Sequence, residues 1–66
     1  MRLKVDGKAD ALYLRLDESE IIESEEVAPG VVLDFNGKKE VIGVEILNLS
    51  HRAPNLKINE LVFQSA

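Results

Sequence analysis

Six carboxylates fall within ten residues, Asp17, Glu18, Glu20, Glu23, Glu25 and Glu26, with no basic residue among them. Such a group can hold a cation, work as an acid/base pair, or offer a negative surface to a basic partner. Successive side chains of an extended chain point to opposite faces, so glutamates spread along a strand do not converge on one ion. A solvated edge strand, where charge discourages pairing with other chains, needs no ligand. A docking face is the alternative, because opposite potentials steer association. Asp17, Glu18, Glu20, Glu23, Glu25 and Glu26 are therefore the partner-binding candidates, and the partner they imply is a basic protein. The rest of the chain holds six acids and eight bases, so charge is concentrated in this one segment.

Other residues that could do chemistry are isolated. Asp6 and Asp10 flank a glycine turn, but "DGKAD" lacks the spacing of a twelve-residue calcium loop. Asp6 is expected to cap that turn, and Asp10 to bond nearby backbone amides. Glycoside hydrolysis needs two carboxyl groups flanking a cleft, and 66 residues leave little room for one. His51, beside Arg52 in a polar stretch, reads as a surface histidine. Ser19, Ser24, Ser50 and Ser65 sit in no nucleophile elbow. Gly7, Gly30, Gly37 and Gly43 are scattered singly and form no phosphate loop. No catalytic residue, cofactor or metal ligand is expected, and the chain is not read as an enzyme. A structural zinc is implausible with no cysteine and a single histidine.

The elements that position these residues read as strands. "KADALYLRL" fits a helix face through Ala9, Leu12, Tyr13 and Leu16, and equally a strand through Leu12, Leu14 and Leu16. Its flanks decide. "RLKV" alternates and is followed by Asp6-Gly7, a turn signal. "PGVVLDF" opens on a breaker and alternates at Val31, Leu33 and Phe35. "NGKK" is a second turn, and "EVIGVEIL" places Ile42, Val44 and Ile46 on one face. Residues 11–16 are thus a strand, with Leu12, Leu14 and Leu16 toward the core and Tyr13 half-buried on the other side. The segment "IIESEEVA" has no clean apolar face and fits a sheet edge. Gly43, inside a strand, marks a bulge or a close backbone approach. Glu45 points away from its apolar neighbours, toward a cross-strand base such as Arg15 or Lys4.

For the hairpin between 31–35 and 40–47, a two-residue Asn36-Gly37 loop would pair Phe35 with Lys38. A four-residue loop over 36–39 would pair Phe35 with Glu40, Leu33 with Ile42 and Val31 with Val44, which stacks apolar on apolar and is preferred. Beyond Leu47, "NLSHRAPN" reads as a loop with one turn of helix before Pro54. "LKINELVF" splits its apolar residues between two parities, with a break near Asn59-Glu60 and a short strand or turn at 61–63. The expected fold is a single all-β domain, β-rich with one short helical turn. Its sheet is a small antiparallel one of about five strands, mostly a meander, and 48–66 form a less regular tail.

"DGKADALYLRL", "ESEEVAPGVVLDF" and "VIGVEILNLS" together resemble the YuzE-like family of short prokaryotic proteins of unknown function. The matching positions are Asp6, Asp10, Ala11, Leu12, Tyr13, Pro29, Gly30, Gly43, Glu45, Ile46 and Leu47. The likeness covers residues 1 to about 52; "NGKKE" and the tail depart from it. The resemblance implies a β-rich cytoplasmic protein without an established activity. For some members, gene neighbourhood suggests an antitoxin-like role beside a small toxin.

Size sets the remaining expectation. A chain this short buries only about 60% of the surface its unfolded form exposes, and small folds add disulfides, a metal or a partner subunit. With no cysteine and no metal set, a homo-oligomer is expected. The net charge of −4 argues against direct nucleic-acid binding. No apolar run approaches the roughly 20 residues of a membrane helix, and no signal peptide is evident. A cytoplasmic location follows as the expectation. A small-ligand or metal-binding module with its site at a dimer interface is the alternative function.

Overall fold

The computed structural model describes residues 1–53 and Asn55. Five strands form: β1 (Arg2–Asp6), β2 (Ala11–Arg15), β3 (Glu23–Ala28), β4 (Val31–Phe35) and β5 (Val41–Ile46), four of them carrying alternating Leu, Val, Ile or Phe and β3 carrying mostly glutamate. One helical turn, α1 (Leu49–Arg52), follows. The sheet is wholly antiparallel, in the order β1-β2-β5-β4-β3. Three of its four ladders join strands consecutive in sequence, as in a meander. The fourth, β2 with β5, is long-range and welds the two hairpin units together. The expected five-stranded antiparallel sheet with one helical turn is what forms, and the acidic strand β3 is an edge.

Turn chemistry explains the connections. In the β1–β2 turn, Asp6 Oδ1 accepts the amides of Lys8 at 3.0 Å and Ala9 at 3.1 Å. β3 and β4 are joined by Pro29-Gly30 alone. Proline presets the first turn position, and Gly30 takes φ 75° at the second, as a type II turn requires. The ladder skips Val27, a bulge that twists the edge.

The β4–β5 hairpin departs from the expected register. Phe35 faces Val41, Leu33 faces Val44 and Val31 faces Ile46. Two local devices cause the shift. The loop closes on Asn36, whose amide donates to the Glu40 carbonyl at 3.0 Å, with Lys39 left-handed at φ 63°. Asn36 Oδ1 holds the turn by accepting the amides of Lys38 and Glu40. Ile42 is then an extra residue between Val41 and Gly43, a bulge on β5. Together they move the pairing by two residues. A shift of two preserves facing, so apolar residues still stack on apolar ones.

Arg52 fastens the last turn to the sheet. Its Nε donates to the Leu47 carbonyl at 3.1 Å and its Nη2 to the Pro29 carbonyl. The Cap residue Asn48 is left-handed and gives no side-chain cap bond. Asp10 caps α1 from 40 residues away instead, taking the Ser50 amide at 3.1 and 3.2 Å and the Ser50 hydroxyl at 2.7 Å. Asp10 does bond backbone amide, as expected, but across the fold and not within its own turn. Leu49 is buried beneath. The expected break at 59–60 and the strand at 61–63 lie outside the described residues.

Register sorts the side chains into two unlike faces. One carries two cross-strand rows, Val5, Leu12, Ile46 and Val31, then Leu3, Leu14, Val44, Leu33 and Glu25, and beyond them Leu16 beside the bulged Ile42 and Phe35 beside Glu23. The other carries Arg2, Lys4, Asp6, Tyr13, Arg15, Glu45, Asp34, Ser24 and Glu26, with Ala11, Gly43 and Val32 between them. Among the described residues, only Ala11, Ile42 and Leu49 are buried apolar side chains.

Candidate functional site

The polar face is built around Asp34. It sits on β4 in register with Gly43 of β5 on one side and Ser24 of β3 on the other. Only 8% of Asp34 is exposed, and a buried carboxylate needs donors. Tyr13 supplies one, its hydroxyl donating to Oδ2 at 2.8 Å, and Ser24 the other, donating to Oδ1 at 2.6 Å. Tyr13 stands on β2, with β5 between it and β4. The two side chains meet above Gly43, where an added Cβ would lie 2.7 Å from both Asp34 Oδ2 and the Tyr13 hydroxyl. Gly43 therefore sits beside a bulge, the first of the two alternatives expected of it, while the groups crowding it are side chains and not backbone.

Arg15 continues the network. Its Nη1 lies 3.4 Å from the Tyr13 hydroxyl, while Nε and Nη2 donate to the carbonyls of Asp17 and Ser19, each at 2.6 Å. The bond with Tyr13 pushes the Arg15 pKa above its ordinary value. The same guanidinium thus braces the sheet and pins the connection that carries the first acids. Ser19 donates its hydroxyl to Asp17 at 2.5 Å, and this bond holds the Asp17 carboxyl below the ordinary carboxylate range.

Beside this network the sheet surface is hollow. A concavity of about 330 Å³ is lined by Lys4, Asp6, Tyr13, Asp34 and Glu45, over a floor that includes Ala11. Small side chains leave the space, and the charged ones of β1 and β5 wall it. Glu45 makes no ion pair with Arg15 or Lys4, contrary to the sequence expectation. It lies in register with Tyr13, while Arg15 is committed to the 16–22 connection. The ion pair among the described residues joins Arg2 and Glu18 at 3.1 Å, with both side chains exposed.

The structure divides the six acidic candidates. Asp17, Glu18 and Glu20 lie in the connection between β2 and β3. Glu23 and Glu25 project from β3 on the apolar side, and Glu26 on the polar side. All six are exposed. No group of three or more His, Cys, Asp or Glu among the described residues is arranged to hold a metal. His51, on α1, is exposed.

Sequence reasoning missed the contact of Tyr13 with Asp34 over Gly43, and also the pairings of Asp34 with Ser24 and of Asp10 with Ser50. The signal for the first was present in two separate readings: a glycine inside a strand, and a tyrosine on the second face.

Among the described residues no helix is long and apolar enough to cross a membrane. Comparison with curated proteins gives no match, and comparison with solved structures gives none either. The family model described as "Protein of unknown function (DUF2283)" matches residues 2–50, which takes in all five strands and the start of α1, and the chain belongs to that family.

Proposed function

We propose that the protein is a homo-oligomeric interaction module of the cytoplasm that works by binding and not by catalysis, using its acidic strand to meet a basic partner. The antitoxin-like role implied by the YuzE-like resemblance is the specific form of this reading. One observation carries it: among the described residues β3 is an edge of the sheet, its six residues are all exposed, and three of them are glutamates. An edge strand offers unpaired backbone groups along one side. Its carboxylates reject acidic or neutral strands and favour a basic one, so charge selects the partner while backbone bonding supplies contact. The 16–22 connection adds three more carboxylates beside it.

The test is binding of a purified basic partner, recovered with the chain from its native host, at rising ionic strength. Capture should weaken steeply with salt and be lost in a Glu23→Gln, Glu25→Gln, Glu26→Gln variant. Binding that ignores both salt and the triple substitution overturns the reading.

A second reading, a small-ligand or metal-binding module, draws on the polar-face concavity walled by Lys4, Asp6 and Glu45. Ligands that bind only the folded form raise the melting temperature. An upward shift with calcium, magnesium or a small cation would favour this reading.

A further inference from the structure

We infer that Asn36 is a self-modification site, where the β4–β5 turn converts its own side-chain amide to an acid with the Gly37 nitrogen as nucleophile and ammonia as leaving group. This stands apart from the partner and oligomer readings above. The chain holds four asparagines, Asn36, Asn48, Asn55 and Asn59, and only Asn36 precedes a glycine. An asparagine amide is attacked by the backbone nitrogen of the next residue, so that residue's side chain controls access. Glycine has none, and its backbone rotates most freely.

The turn arranges the groups as an acyl-transfer site does. Asn36 Oδ1 accepts the amides of Lys38 at 2.9 Å and Glu40 at 3.0 Å. That oxygen takes up negative charge when Cγ becomes tetrahedral, and two N–H donors at this range stabilise an oxyanion. Nδ2 donates to Glu40 Oε1 at 2.9 Å, so the amide is held at both ends with its carbonyl polarised. The nucleophile is free: among the described residues, the Gly37 amide donates to no acceptor. It is also uncrowded, because a Cβ at Gly37 would meet only Ile22 Cγ1, at 3.9 Å. Attack from the adjacent residue is intramolecular, which removes the entropy of bringing the two groups together. Residues 37–40 are exposed, so water reaches the turn.

The reaction balances with water alone. The Gly37 nitrogen gives its proton to water and bonds to Asn36 Cγ. The bond from Cγ to Nδ2 breaks, and Nδ2 takes a proton from water and leaves as ammonia. One water molecule then opens the cyclic imide at either carbonyl, giving aspartate or isoaspartate, and nothing is oxidised or reduced. Either product adds one negative charge. Aspartate loses the Nδ2 bond and faces Glu40 with like charge, while isoaspartate inserts a methylene into the backbone of the hairpin. Asn36 borders a hollow of about 450 Å³ lined also by Asp17, Glu20 and Glu40. This end of the sheet therefore becomes more acidic as the molecule ages.

The experiment is timed incubation of the purified full chain in mildly alkaline buffer, followed by peptide mass spectrometry. An isoaspartyl methyltransferase separates the two products. Conversion should localise to Asn36, at least tenfold faster than at Asn48, and run no slower than in the same chain unfolded in urea. Gly37→Ala should slow it at least tenfold with an unchanged circular dichroism spectrum, since the added methyl has room. Asn36 that stays intact in the folded chain while converting in urea shows a protective turn and overturns the inference. Conversion at the wild-type rate in Gly37→Ala overturns it too. If that variant unfolds, the comparison of folded and urea-unfolded wild type decides alone.

Discussion

Gly43 is where the polar face is most sensitive to a single atom. A methyl there must displace both Asp34 and Tyr13, because both oxygens lie 2.7 Å from the Cβ position. Gly43→Ala is expected to cost about 2 kcal/mol, in the range for overpacked sites. Tyr13→Phe removes a hydrogen bond to a carboxylate and is expected to cost about 1–2 kcal/mol. It also removes one of the two clashing oxygens. The double variant should therefore cost less than the sum of the singles, and urea unfolding at one fixed protein concentration checks this. A different effect is expected at Asp17. Its folded pKa is held down by Ser19, so the contribution is present above the unfolded carboxylate range near about pH 4. It is lost as pH falls through the lower folded value. Ser19→Ala should flatten the acid limb of stability against pH, with little change at neutrality. An acid limb that keeps its slope would remove the Ser19 bond from the account.

Elements tell a similar story of local rules with distant consequences. The strands were legible because Leu, Val and Ile alternate, and because Asp6-Gly7, Pro29-Gly30 and Asn36-Gly37 punctuate them. The edge position of β3 was legible from its charge. The β4–β5 register was not. It depends on Lys39 accepting a left-handed φ of 63° and on Ile42 bulging out of the ladder. Lysine gives no sign of either, and Asn-Gly suggested a different turn. Pairing of β2 with β5 was equally hidden, since nothing in a local pattern names a partner 30 residues away. The Asp34 network needed that pairing, which is why Tyr13 and Gly43 could be singled out without being joined. Because lysine is strained at the left-handed position, Lys39→Gly should raise stability by about 0.5–1 kcal/mol after the entropy of the more flexible unfolded chain is counted, read from the denaturation midpoint. Asp10→Ala should cost about 1 kcal/mol, like the loss of a helix cap. Faster hydrogen exchange at Ser50, with β-sheet amides unchanged, would locate that loss at α1.

At the scale of the whole molecule, the described residues form one layer of sheet with a single helical turn, and their buried apolar side chains are three. On the proposed homo-oligomeric reading, folding coupled to assembly ties stability to concentration. The melting temperature is expected to rise measurably over a hundredfold increase in protein concentration, and calorimetry at three concentrations checks it. The placement of β5 has a consequence for synthesis. The chain leaves the ribosome from its amino terminus, so β1–β2 and β3–β4 emerge first as two separate ribbons. Isolated two-stranded ribbons are marginal in water. Nothing joins them until Val41–Ile46 emerges and slots between β2 and β4. Until then β2 and β4 each keep one bare inner edge, open to pairing with other chains.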